Sequence, residues 1–180
     1  TTLWEASSVA EQKAAEDQHR QEGDSWRIPA SVNDQWNFLL KTIWDQMIHL
    51  VIQFEGAVDL PTLEQAVREA MAAEVLTIAK FSPGDSPFFE PAFPGSDPPS
   101  WDVITTAHPD IALSSLLGSS LDPLKGPMGR VRLIRSDNDL LCISFNHTMT
   151  DAYGVKSFGS LLASLYRSGR GKGMNPPLGN

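Results

Sequence analysis

Hydrophobic and polar residues alternate along this chain with two periods, which divides most of it into strands and helices. From Met47 to Glu55, Ile48, Leu50, Ile52 and Phe54 fall on one side and His49, Val51, Gln53 and Glu55 on the other, the pattern of a half-buried strand. Leu140 to Phe145 is continuously apolar and predicts a strand buried on both faces. After a polar turn, Val155, Phe158, Leu161, Leu162 and Leu165 recur at helical spacing. Ser31-Val-Asn-Asp34 has the spacing of a capping box, and Val32, Trp36, Leu39, Leu40, Ile43, Trp44 and Met47 extend the predicted helix from 32 to about 46. Asp59 caps a further helix with Pro61 in its first turn, carrying Leu63, Ala66, Val67, Ala70 and Met71. Val103 to Thr106 reads as a short strand and Ile111 to Leu117 as one or two helical turns. Leu121 to Leu133 reads as a turn feeding a strand, separated by the loop 136–139 from the strand that begins at Leu140.

Three stretches break these patterns. Between Ser82 and Trp101 stand Pro83, Pro87, Pro91, Pro94, Pro98 and Pro99, a density that predicts an extended surface excursion without helix or inner strand, tacked down by Phe88, Phe89 and Phe93. Residues 1–27 mix charges with alanine and glutamine and predict a polar helical or flexible arm, which Trp4 and Trp26 would pin. Residues 170–180 have the composition of a flexible linker, leaving 28–169 as the folded lobe.

Composition narrows the functional classes. The 180 residues are 41% hydrophobic and carry a formal net charge of -8, which fits one domain and argues against a nucleic-acid surface. The single cysteine, Cys142, lies inside a predicted strand and is expected to be buried, so no disulfide framework exists and a reducing, cytoplasmic setting is expected. No apolar run approaches the roughly 20 residues of a membrane span, and the absence of an initiator methionine is read as a trimmed start.

The candidate chemistry lies where the strand beginning at Leu140 meets the helix that contains Val155. His147 and Asp151 fall in the turn between them. A strand delivers a side chain to a fixed point and a loop leaves it reachable, so an imidazole there is placed for proton transfer. A carboxylate four residues on can pair with the imidazole or with a cation that fixes the loop, and spacing does not choose between them. His49 points to the polar side of its strand and has no partner at metal spacing, so it reads as a sheet-surface residue and no metal is implied.

In order along the chain, Leu60-Pro-Thr-Leu63, then Asp122, Pro127 and Arg130 before a strand, then Asn-His-Thr-Met-Thr-Asp-Ala at 146–152, then Leu165-Tyr166, resemble the first lobe of the condensation-domain superfamily. These are the chloramphenicol-acetyltransferase-like acyltransferases, which include peptide-synthetase condensation domains, wax ester synthases and alcohol acyltransferases. The resemblance spans about 28–169 and implies an α/β, two-layer sandwich: a mixed, mostly antiparallel sheet with helices packed on one face, as a single lobe. It implies transfer of an acyl group from a coenzyme A or phosphopantetheinyl thioester to an alcohol or amine, with no tightly bound cofactor. By its motif His147 would be catalytic, taking the acceptor's proton. Asp151 would be structural and paired with Arg130. Asn146 stands for the first motif histidine, and Ala152 for a glycine where a Cβ is expected to crowd the backbone. The amides near Ala152, Tyr153 and Gly154 would face the oxyanion. The family builds its active site between two lobes, and no second-lobe motif follows here. The resemblance therefore implies a partner lobe, from the same gene, a separate chain or an oligomer, and an acyl carrier protein as a candidate donor of the thioester. A degenerate lobe serving as a binding or assembly module, and a hydrolase or epimerase-like member, are the alternatives.

Overall fold

The structure, a computed structural model, describes residues 26–92 and 100–172, with side chains as far as residue 169. The expected arm therefore falls almost wholly outside the described residues, as do Phe93 and the end of the expected linker.

The central sheet has four strands in the order β2 (Met47–Gln53), β7 (Leu140–Asn146), β6 (Gly129–Arg135) and β5 (Trp101–Thr105). The β2–β7 and β7–β6 pairs are antiparallel, whereas β5 runs parallel to β6. One face of this sheet is the one the alternation predicts. Ile48, Leu50 and Ile52 join Val131, Leu133, Leu141, Ile143 and Phe145 in the main core. Two helices cover that face, α2 (Leu60–Ala73) and α4 (Ala152–Lys172), packed on each other and with α4 against β2 and β7. Helix α2 starts where the sequence predicts, with the Asp59 carboxylate accepting from the Thr62 amide at 2.9 Å, and it buries Leu63, Ala66, Val67, Ala70 and Met71. Each large apolar side chain buried this way stabilises the fold by about 1.5–3 kcal/mol. Helix α4 comes so near the sheet that a Cβ on Gly159 would stand 2.7 Å from Leu50 Cδ2. This is the expected two-layer α/β lobe. In addition, α3 (Pro109–Leu117) covers one corner of the opposite face, where Leu116 packs with Ile134, Leu140 and the buried Cys142.

A second sheet of three strands, in the order β1 (Ile28–Pro29), β4 (Phe88–Pro91) and β3 (Ala79–Ser82), follows a 3-10 turn at Val75–Ile78. It corrects the reading of the proline-rich stretch, because β4 is the middle strand. Pro87 precedes the strand and Pro91 is its last residue, so Phe88, Phe89 and Glu90 between them keep their amides for the ladder. Phe89 is buried there, as its tacking role requires, and stacks edge-on to Phe81 at 5.5 Å. Trp26 packs on the same cluster. This small sheet also seats α1 (Val32–Leu40), since Phe38 lies 4.4 Å from the Phe81 ring. The Ser31/Asp34 capping box is present, but α1 ends at Leu40 and a turn follows, so the helix is shorter than predicted. At the other end α4 runs past 169 to Lys172.

One buried charge anchors the β6–β7 loop. Asp139 is fully buried; its Oδ2 accepts from the Val58 amide at 2.9 Å and from Arg135 at 3.2 Å, and Oδ1 accepts from the Ser136 amide at 3.2 Å.

Candidate active site at the end of β7

Strand β7 ends where its partners can still hold it. The Asn146 amide donates to the Met128 carbonyl at 2.8 Å and the His147 amide to the Gln46 carbonyl at 2.6 Å, so both flanking strands fix the start of the turn. Asn146, expected at the position of the first motif histidine, is 3% exposed. Its Nδ2 donates to the Leu121 carbonyl at 2.9 Å and its Oδ1 accepts from the Thr148 amide at 2.9 Å. The side chain thus ties the segment before β6 to the motif turn, and it lies along an open cleft between residues 41–46 and 118–123.

His147 is half-buried and meets Asn37 of α1. Asn37 Nδ2 donates to the His147 carbonyl oxygen at 3.1 Å and lies 3.2 Å from His147 Nδ1. Asn37 itself is 9% exposed. The sequence carried little sign of this contact: a lone asparagine between Trp36 and Phe38 in an amphipathic helix is unremarked unless the partner strand end is known.

The expected Asp151–Arg130 pair is not formed. Asp151 is exposed, and its Oδ1 accepts from the Gly154 amide at 2.9 Å while its carbonyl accepts from the Val155 amide at 3.1 Å. It is the N-cap of α4. Arg130 instead donates to the Ser119 carbonyl at 3.0 Å and to Ser119 Oγ at 2.7 Å. The reason is the pleat of β6. Val131 and Leu133 face α2 and α4, so Arg130 projects from the opposite face, and the sheet stands between it and the start of α4. Burial first, and then the neighbouring Arg132, lower the Arg130 pKa from its ordinary value, and the two bonds to Ser119 offset that cost.

The turn after His147 also differs in detail from expectation. Ala152 is exposed, so its methyl faces solvent rather than crowding the backbone where a glycine was expected. The close approach is at Gly154, where any Cβ would overlap the Thr150 hydroxyl. Because Asp151 takes the Gly154 N–H, the Ala152 and Tyr153 amides at the head of α4 are left without an intrahelical acceptor. Tyr153 is 78% exposed beside them.

On the face away from α2 and α4, His49 Nδ1 lies 2.9 Å from Ser144 Oγ, and Ser144 is buried. Desolvation holds the His49 pKa below its ordinary value, with Asp45 opposing the shift. Among the described residues no group of three or more His, Cys, Asp or Glu is placed to hold a metal ion, and no helix is long and apolar enough to cross a membrane.

The outer face of α1 and the turn after it is apolar and open. Val32, Trp36, Leu39, Ile43 and Trp44 are between 59% and 83% exposed. Side chains this large are seldom left to water in one neighbourhood without a partner.

No family model matches the sequence, and no curated protein matches it. Solved structures do. The starter condensation domain of the rhizomide synthetase RzmA superposes with a TM-score of 0.66 at 18% identity, over 84% of this chain and 39% of that one. A variant of it in complex with C8-CoA gives 0.68 at 18% identity, over 84% and 37%. The condensation domain from the Monacolin K polyketide synthase MokA gives 0.67 at 16% identity, over 79% and 34%. The chain therefore has the fold seen in part of these condensation domains. It spans about two-fifths of the domains it matches, the extent of a single lobe.

Proposed function

We propose that this chain is one lobe of a condensation-like acyltransferase. The observation that carries the proposal is the position of His147, half-buried at the end of β7 and held by Asn37 and Gln46, in a fold shared with condensation domains. In the reaction the acceptor's lone pair attacks the carbonyl carbon of an acyl thioester. The new C–N or C–O bond forms, the C–S bond breaks, and the thiol leaves with the acceptor's proton. His147 meets the reacting groups, and the Ala152 and Tyr153 amides face the carbonyl oxygen. The RzmA domain has been crystallised with C8-CoA, and with C8-CoA and Leu-SNAC together, which supports a coenzyme A or phosphopantetheinyl thioester as donor, an amine as acceptor and a carrier protein as a source of either. The open apolar face of α1 supports a second lobe, from the same gene, a separate chain or an oligomer, that completes the site. A cytoplasmic setting suits such substrates.

A second reading, a non-catalytic lobe used for assembly, is favoured by the missing Arg130–Asp151 pair. The two separate in one assay of the chain with its second lobe. His147→Ala is expected to lower thioester turnover by about two to four orders of magnitude while circular dichroism stays unchanged. Unchanged turnover would remove the catalytic reading and leave the assembly module.

A further inference from the structure

We infer that Asn37 is a positioning residue that holds His147 in the tautomer with its ring proton on Nε2, so that the resting site offers substrate an N–H donor. The inference rests on the acyl-transfer reading for its meaning but not for its geometry. Each step follows from what the partners can give or accept. The His147 carbonyl oxygen, 3.1 Å from Asn37 Nδ2, has no hydrogen, so the end of the amide that faces it is the NH2 group. The same nitrogen lies 3.2 Å from Nδ1 of the ring. An amide NH2 only donates, so Nδ1 accepts, and a neutral imidazole then carries its one hydrogen on Nε2. Turning the amide over would set Oδ1 against the carbonyl oxygen, two acceptors face to face.

The seat of Asn37 is built to keep this arrangement. Its neighbour Phe38 is stacked on Phe81. Its own carbonyl accepts from the Gln46 side chain at 3.2 Å, in the amide orientation that also lets Gln46 accept from the Trp44 indole N–H. The Gln46 carbonyl in turn accepts the His147 amide at 2.6 Å. Asn37, Gln46 and His147 therefore close a ring of contacts between α1, the turn after it and the end of β7.

This arrangement reverses the direction expected of His147. A proton taken up at Nε2 requires the other nitrogen to be protonated, against the Asn37 NH2. An Nε2–H group instead donates to the thioester carbonyl oxygen as charge gathers there, and the acceptor's proton leaves on the departing sulfur or through water. Atoms balance as before: amide or ester and thiol from thioester and acceptor.

The test is the ring ¹⁵N spectrum of the full chain labelled at histidine and recorded at alkaline pH, with the His147 signals identified by their loss in His147→Gln. The expected result is a pyrrole-like Nε2 and a pyridine-like Nδ1. In Asn37→Asp the carboxylate only accepts, so the proton should move to Nδ1 and the two shifts exchange. In Asn37→Leu the ring is released and both tautomers should contribute. A proton on Nδ1 in the unsubstituted chain overturns the inference, as do His147 signals unchanged by both substitutions. If Asn37→Asp does not fold, Asn37→Leu decides alone: averaged shifts support the inference and unchanged shifts overturn it. Failure of the acyl-transfer reading shows separately, as an Nε2–H tautomer in a protein whose turnover survives His147→Ala.

Discussion

Replacing Asp151 by alanine separates a helix cap from a buried ion pair, because the two differ several-fold in cost. In the structure the carboxylate is exposed and does one thing, accepting the Gly154 amide at 2.9 Å at the head of α4. Loss of such a cap destabilises by about 0.5–2 kcal/mol, typically about 1. Stranding Arg130 as an uncompensated buried charge would instead cost about 3–5 kcal/mol. Urea unfolding of the full chain measures the difference, provided the slope with denaturant is unchanged. Asp151→Asn should retain most of the stability, since asparagine caps about as well as aspartate. The double-mutant cycle with Arg130→Met should be additive to within about 0.5 kcal/mol, because Arg130 projects from the sheet face opposite α4, which Asp151 caps, and the two side chains share no partner. A loss near 3 kcal/mol, or a coupling energy above about 1 kcal/mol, would refute the reasoning and restore the pair.

Three further outcomes are expected. Asp139→Ala should destabilise by roughly 3–5 kcal/mol, since it removes the counter-charge of Arg135 and leaves the Val58 and Ser136 amides without their acceptor, and a thermal or urea midpoint close to wild type would show that the anchor is unimportant. His49 has a folded pKa lowered from 6.5 by desolvation, so the unfolded chain protonates first: stability should fall as pH drops from 6.5 toward the folded pKa, and His49→Gln should flatten that part of the profile. An unaltered pH profile in the mutant would mean that His49 is as solvated in the folded chain as in the unfolded one. Trp36→Ser with Trp44→Ser should weaken association of the chain with its second lobe, or with itself, in sedimentation at micromolar concentration; equal association would place the interface elsewhere.

What the sequence determined by itself is local. The alternation from Ile48 to Phe54, the Ser31/Asp34 box, the Asp59 cap and the buried face of α2 are written in spacings of two, three and four residues, and the structure has each of them. The ordered motifs around His147 added the lobe's fold, which the solved condensation domains share. Pairings between distant residues were not legible in the same way. Strand β4 is an inner strand because β1 and β3 flank it, although its prolines argue locally against pairing. Arg130 and Asp151 match a motif in order along the chain, yet the pleat of β6 and the placement of α4 send them to opposite sides of the sheet. Asn37 reaches His147 across 110 positions because the small sheet seats Phe38 and carries α1 to the end of β7. Local periodicity is set by backbone geometry acting on near neighbours, whereas the partner of a polar side chain is whatever packing brings within about 3 Å, and only the assembled lobe decides that.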